Sequence, residues 1–333
     1  MTVEPCVEVF STCPHSAGLS QDLYVERLTE VARWSEEAGC RGILVYSDNS
    51  SLDPWLLSHI IIQRTKTLCP LVAIQPVYMH PYWVAKQIAS LAYVHGRRLY
   101  LNMVAGGFKN DLEALNDTTP HDQRYTRLID YTTIIMRLLA SPTGVTYEGA
   151  FHRVKNLKLT PALPADLLPG VFVSGSSEAG VAAARVLGAT AIKYPKPAGE
   201  EAPPDDLLQV GIRVGIIARE NERDAWDDAR ARFPEDRKGQ LTRQLASKVS
   251  DSVWHKELSE RDQTQEKSPY WLVPFENYQA MCPYLVGNYE QVAGELARYF
   301  AAGYRTVILD VPTSPEELRH TFTAFHAAMQ PVR

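Results

Sequence analysis

The run Ser174-Gly175-Ser176-Ser177-Glu178 carries small and hydroxyl-bearing residues at the entrance to an alanine-rich segment. If that segment is a helix, its first-turn N–H groups lack intrahelical acceptors, and the run can cradle a phosphate. An ordinary serine N-cap is the alternative reading. Asn102 lies in an alternating run from Leu99 to Val104, just ahead of Gly106-Gly107. An amide there can hydrogen-bond a polar heterocycle, or simply cap a turn. His121 and Tyr125 stand one helical turn apart and can face the same way. Arg213 is flanked by Ile212 and Val214, so strand alternation turns it to the opposite face, into the protein. A buried guanidinium needs an anion, supplied either by a ligand or by a carboxylate such as Asp310. Tyr46, Gln75, His80 and Tyr194 are further polar residues at predicted strand ends, and Lys193 at one such end is a candidate Schiff-base lysine.

Other chemistries lack their residues. None of the nine histidines forms a His-x-His pair or joins a carboxylate cluster, so no metal centre is expected. No G-x-S-x-G elbow supplies a nucleophilic serine.

The elements that must position these residues alternate. Apolar runs at 6–10, 41–46, 68–77, 97–104, 170–174, 189–194, 210–218 and 306–310 read as eight strands. Helical patterns fall at 22–38, from Asp53-Pro54 onward, at 82–94, from His121, after Ser177, at 222–233 and at 315–329, with a small β excursion at 145–159. The loop from Phe108 to Pro120 is read as irregular. This rhythm predicts the α/β class and a (β/α)8 TIM barrel, one domain over 1–333, with its site where the strands end. The rhythm fails at about 234–285, a charged stretch carrying Trp254, Tyr270, Trp271, Phe275 and Tyr278. Such aromatic content suits a helical insertion or lid over the C-terminal face; packing or dimerisation is the other reading.

Composition narrows the partners. A hydrophobic content of 45% over 333 residues supports a large core. A net charge of −5 and a pI near 6.0 leave no basic footprint for nucleic acid, which points to small-molecule chemistry. No apolar run reaches membrane-spanning length, so a soluble cytoplasmic protein is expected. The five cysteines are scattered without a C-x-x-C pair, which predicts reduced thiols.

Three motifs then occur in order: Asn102-Met103-Val104-Ala105-Gly106, His121-x-x-Arg124-Tyr125 and Ser174-Gly175-Ser176-Ser177. With Asp53-x-Trp55, Gly149-x-x-His152-x-Val154, Gly211-Ile212-Arg213 and Leu285-Val286-Gly287, they resemble the bacterial-luciferase-like flavin monooxygenases, nearest to the alkanesulfonate monooxygenase branch. The resemblance implies a barrel that binds FMN non-covalently, reduced and delivered by a separate NAD(P)H:flavin reductase. It also implies reaction with O2 to a C4a-peroxyflavin that oxygenates a small organic substrate, and assembly as a homodimer or homotetramer. Carried over residue by residue, Gly175, Ser176 and Ser177 would hold the FMN phosphate, and Asn102, Ala105, His121 and Tyr125 would lie along the flavin. Arg213, His121 and Asn102 would serve the reacting centre. Tyr46, Trp55, Gln75, His80, Tyr194 and Arg213 would meet the substrate.

The chain departs from the alkanesulfonate pattern. Ser51 stands where that branch has cysteine, Gly215 where it has histidine, Tyr194 where it has tryptophan and Val311 where it has tyrosine. These changes argue against a sulfonate, and the aromatic content of the 234–285 stretch points to a larger organic molecule, such as a secondary metabolite. An F420-dependent hydride-transferring oxidoreductase is the alternative enzyme on the same barrel. A non-catalytic flavin-binding relative is the alternative from another class.

Overall fold

A computed structural model describes residues 7–106, 108–201, 208–237, 239–241, 258 and 268–330. The strands that read as near-continuous apolar runs are buried on both faces, as a parallel sheet covered by helices requires. Eight of them close a barrel: β1 (Glu8–Thr12), β2 (Gly42–Val45), β3 (Cys69–Ile74), β4 (Tyr100–Val104), β7 (Gly170–Ser174), β8 (Thr190–Lys193), β9 (Val210–Arg219) and β12 (Tyr304–Leu309). Each pairs in parallel with the next, and β12 returns to β1. The expected TIM barrel is the fold. Strands β5 (Val145–Glu148) and β6 (Arg153–Leu157) form the small antiparallel excursion.

Helices α1 (Gln21–Glu37), α2 (Pro54–Arg64), α3 (Pro81–His95), α5 (His121–Ala140), α6 (Glu178–Leu187), α7 (Glu222–Arg232), α9 (Tyr289–Ala301) and α10 (Pro315–Ala328) follow strands in turn. Their local chemistry is legible. Asp53 caps α2 by accepting from Trp55 and Leu56 N–H at 3.0 and 2.9 Å, with Pro54 at the first turn. Asn288 and Gln291 form a reciprocal capping box on α9.

The barrel interior has an apolar floor. Phe10, Leu44, Leu71, Ala73, Tyr100, Phe172, Ile192 and Ile308 form one cluster, in which the Phe10 ring meets Tyr100 and Phe172 edge-on at 5.0 and 5.2 Å. Strand side chains alternate, so the same face continues two residues further along each strand. Those positions are Thr12, Tyr46, Gln75, Asn102, Ser174, Tyr194 and Asp310, with Arg213 on β9. One polar layer therefore lies directly above the floor, toward the C-terminal mouth.

Several expectations need correction. β1 continues through Ser11 and Thr12, beyond the apolar run at 6–10 that marks it in sequence. Both are fully buried, and their hydroxyls reach Ser35 Oγ at 2.7 Å and the Leu309 carbonyl at 2.6 Å. The segment after Phe108 includes a short helix, α4 (Lys109–Ala114), held by Leu112 on its inner side. Lys193 lies between the inward Ile192 and Tyr194, so it points outward, with Nζ over the Tyr304 ring. That removes the Schiff-base reading.

The stretch at 234–285 also differs from expectation at its far end. Trp254 and half of the stretch lie outside the described residues, as does Cys6. Residues 284 and 285 belong to β11 (Tyr284–Asn288), which pairs in parallel with the outer half of β9 and antiparallel with β10 (Tyr270–Trp271). β9 is ten residues long: its first half completes the barrel and its second half, from Gly215, carries β11. The two-residue strand β10 and the four-residue helix α8 (Val273–Glu276) are too short to leave a periodic signal.

Gly215 is glycine because the Tyr284 ring lies across it: a Cβ there would meet ring carbons at 2.2–2.4 Å. Gly215→Ala should destabilise the protein by about 1–3 kcal/mol, as forced overpacking does, and lower the thermal midpoint by several degrees. An unchanged midpoint would show that Tyr284 moves aside freely.

Candidate active site

The cradle lies where β7 enters α6. Gly175 turns the chain at φ +151°, and a Cβ on it would sit 2.3 Å from the Tyr125 hydroxyl, so Gly175 and Tyr125 can approach only as glycine and tyrosine. The two serines behave differently. Ser177 is the N-cap: its Oγ accepts from Gly180 N–H at 3.2 Å, and its hydroxyl also hydrogen-bonds Tyr125. Ser176 Oγ is buried and has no hydrogen-bond partner. A buried hydroxyl is seldom left unpaired, and this one sits beside first-turn amides that no intrahelical carbonyl can reach. Residue types, backbone turn and orphan hydroxyl together fit a phosphate.

Tyr125 is buried, and burial pushes its phenol up against the opposing effects of Ser177 and Arg124. The His121 ring stands edge-on to it at 5.3 Å, partly exposed, with Nδ1 paired to Asp122 Oδ1 at 2.8 Å. Ala105 is buried in the same apolar layer as Tyr125. Asn102 is buried at 6% exposure in the interior polar layer, where Ser174 Oγ donates to its Oδ1 at 2.7 Å.

Across the mouth, Arg213 is only 5% exposed. Its guanidinium lies 4.9 Å from the Tyr46 ring centroid and 6.0 Å from that of Tyr194, with Nε and one terminal nitrogen lacking any acceptor. Among the described residues it forms no ion pair; the expected partner Asp310 instead accepts from Tyr284 OH at 2.7 Å. His15 stacks on Tyr46 at 4.6 Å. Trp55 is buried with Nε1 unpartnered.

Two sequence candidates have their polar atoms engaged locally. Gln75 Nε2 donates to the Ser47 carbonyl at 2.7 Å, which ties the β2 and β3 loops together. His80 is the N-cap of α3, accepting from Tyr82 N–H at 3.1 Å, and its ring faces His152 of the β excursion. The stretch at 268–283, with Leu258, packs on the mouth: Leu258, Leu272 and Phe275 cluster against Tyr194 and Tyr270, and Tyr270 OH donates to the Pro195 carbonyl at 2.7 Å.

A model of the luciferase-like monooxygenase family matches residues 7–306. The chain belongs to that family. A relative, "4-(gamma-L-glutamylamino)butanoyl-[BtrI acyl-carrier protein] monooxygenase BtrO" of Niallia circulans, is 34% identical over 307 residues, covering 89% of each chain. Membership and this relative make the expected monooxygenase enzyme the plain reading. Among solved structures, the EDTA monooxygenase of Chelativorans sp. BNC1 superposes with a TM-score of 0.72 at 16% identity, covering 96% of this chain and 92% of its own. An F420-dependent secondary alcohol dehydrogenase reaches 0.66 at 15%, covering 98% and 100%. At these identities the two structures speak to the fold.

Residues missed by sequence reasoning have explanations within this luciferase-like barrel. His15 belongs to the mouth because β1 ends at Thr12; ending that strand at Phe10 hid it. Arg127 and Asp117 fasten the segment that leads into α5 and His121, through a 2.6 Å ion pair between side chains that are 12% and 8% exposed. Burial pushes the Asp117 carboxyl up, but the Arg127 and Thr119 hydrogen bonds prevail and hold it down at about 2. A depressed carboxyl stabilises the fold above its ordinary range, and the contribution is lost as pH falls through the folded value. Asp117→Asn should therefore cost about 2 kcal/mol at pH 7. Urea midpoints of wild type and variant should converge as pH falls from about 4 toward 2. A gap independent of pH would place the effect outside the ion pair.

Proposed function

We propose that this luciferase-like protein is a two-component monooxygenase that uses reduced FMN, supplied by a separate flavin reductase, and O2 to oxygenate an organic substrate of secondary metabolism. The observation that carries the reading is the buried, partnerless Ser176 hydroxyl on the open start of α6. Gly175 and Ser176 would receive the phosphate, while Ser177 keeps the helix capped and Tyr125 in place. Asn102, Ala105, His121 and Tyr125 would border the isoalloxazine. Reduced FMN, when bound, supplies the two electrons that activate O2. The chain's own residues bind it, orient it and exclude water from a barrel whose floor is apolar.

Arg213 would hold the substrate. Its unpaired N–H groups call for an anion, and Tyr46 and Tyr194 keep its plane fixed while adding cation–π stabilisation. BtrO's name describes a γ-glutamyl-capped acyl chain on a carrier protein. We extend that class to this chain: an acyl group entering from a carrier, with a carboxylate at its far end directed to Arg213. Trp55, Gln75 and His80 would line the approach, and the aromatic stretch around Phe275 would cover it as a lid.

The test is an anaerobic titration of the purified protein with reduced FMN and, separately, reduced F420. Tight binding of FMN with substrate oxygenation is expected; binding of F420 alone with hydride transfer would overturn the reading. Ser176→Ala should weaken FMN by about 1–3 kcal/mol, the scale of a charge-assisted hydrogen bond, whereas Ser177→Ala should chiefly lower stability by about 1 kcal/mol. Arg213→Ala should leave FMN affinity within about twofold and lose substrate affinity by tenfold or more. Equal loss of flavin binding in Arg213→Ala would remove its assignment to substrate.

A further inference from the structure

Three neighbouring strands bring Tyr284, Gly215 and Asp310 into one row. On one side of β9, Gly215 is opposite Tyr284 of β11. On the other side Arg213 is opposite Ile308 of β12, so two residues further on Asp310 comes level with Gly215. The Tyr284 ring lies across Gly215, where a Cβ would meet it at 2.2–2.4 Å, and its hydroxyl donates to Asp310 Oδ2 at 2.7 Å. The bond therefore runs from β11 to the end of β12 over the residue of β9 that has no side chain to block it. An ionised carboxylate only accepts, so the phenol is the donor.

Asp310 and Arg213 share one neighbourhood. Arg213 lies on the same face of β9 as Gly215, diagonal to Asp310, a spacing that a long side chain can span. Burial pushes the Cys282 thiol up and the His15 ring down, and on both groups the Asp310 charge acts upward and the Arg213 charge downward. The two charges thus surround the same small space. They nevertheless form no ion pair among the described residues, and two nitrogens of the Arg213 guanidinium have no acceptor. Arg232, whose guanidinium also feels the Asp310 charge, is committed to Glu317 and to the Val311 carbonyl at 2.9 Å.

We infer that Tyr284 is a positioning residue that holds the Asp310 carboxylate off Arg213 and so keeps that guanidinium open to an anionic substrate. This inference rests on the assignment of Arg213 to the substrate made above. A sheltered carboxylate beside an unpaired guanidinium would otherwise close on it. The neutral phenol satisfies the carboxylate instead, and an incoming anion has no internal partner of Arg213 to displace. Removing the phenol oxygen alone leaves the ring over Gly215 and releases Asp310 to compete for Arg213.

The test uses two N-acetylcysteamine thioesters of equal chain length: that of glutarate, which ends in a carboxylate, and that of pentanoate, which does not. Calorimetry gives their affinities for purified wild type, Tyr284→Phe, Asp310→Asn, the double variant and Arg213→Ala, with oxidised FMN present. Wild type should prefer the glutarate thioester by about tenfold, and Arg213→Ala should abolish the preference. Tyr284→Phe should weaken the glutarate thioester by about five- to tenfold and leave the pentanoate thioester within about twofold. Adding Asp310→Asn to Tyr284→Phe should restore the glutarate thioester to within about twofold of its affinity for Asp310→Asn alone. An unchanged glutarate affinity in Tyr284→Phe, an equal loss for both thioesters, or a loss that Asp310→Asn does not repair would overturn the positioning role alone. Wild type without a charge preference, or a preference that survives Arg213→Ala, would overturn the assignment of Arg213 to the substrate and this inference with it. Thermal midpoints of the ligand-free variants separate misfolding from these outcomes: a large drop in Tyr284→Phe that persists in the double variant would mark a merely structural bond.

Discussion

Strand parity governs this protein. In a closed barrel each strand offers alternate residues to an interior that must be filled, and a one-residue slip would send the whole set outward. Phe10, Tyr100 and Phe172 fill the lower interior with interlocking rings, which fixes the register of β1, β4 and β7. Once those residues point inward, Thr12, Asn102 and Ser174 must do so as well. The apolar floor thus decides which polar groups reach the mouth, and it closes that mouth from below.

The polar layer obeys a second constraint, because buried charges and hydroxyls must be satisfied or be left for something that binds. Most are satisfied internally. Thr12 reaches the Leu309 carbonyl, Gln75 the Ser47 carbonyl, Asn102 the Ser174 hydroxyl, and Asp310 the Tyr284 hydroxyl. Tyr284 acts twice: its ring covers Gly215, and its hydroxyl donates to Asp310, the carboxylate that sequence made a plausible partner for Arg213. The glycine at 215 and the engagement of Asp310 are two consequences of one tyrosine.

Much of this was legible in the sequence, for physical reasons that also mark where legibility ends. All eight barrel strands announced themselves because β-branched and aliphatic residues buried on both faces make unbroken apolar runs. Asp53-Pro54 and Ser177 declared helix starts through capping chemistry. What failed depended on distant partners. Ser11 and Thr12 read as loop because their hydroxyls are polar, yet the fold buries them against Ser35 and Leu309. β11 is not among the strands that sequence marks, because its partner, the outer half of β9, lies far away in the chain. His80 and Gln75 looked free as strand-end residues, but they turned out to be a cap and a loop tie. Ser176 and Ser177 were indistinguishable in sequence, since only the helix geometry assigns one hydroxyl to Gly180 and leaves the other over.

That leftover is informative through its company. Among the described residues, buried side-chain atoms without partners include Nε of Arg124 and Arg127, whose other nitrogens are engaged, Oγ1 of Thr132 on α5 and Nδ1 of His152 in the excursion. The remainder are Ser176 Oγ, Trp55 Nε1 and two nitrogens of Arg213, each on a strand end or helix start at the C-terminal side of the barrel. Leaving a buried donor unpaired costs about 1–3 kcal/mol, and a protein of marginal stability does not accumulate such costs on one face without return. The polar groups that the fold fails to satisfy from within are where the proposed ligands would bind: an anion at the start of α6, and a second anion beside Arg213, near Tyr46 and Tyr194. A phosphate-bearing cofactor and a charged acyl substrate are two ligands with those ends.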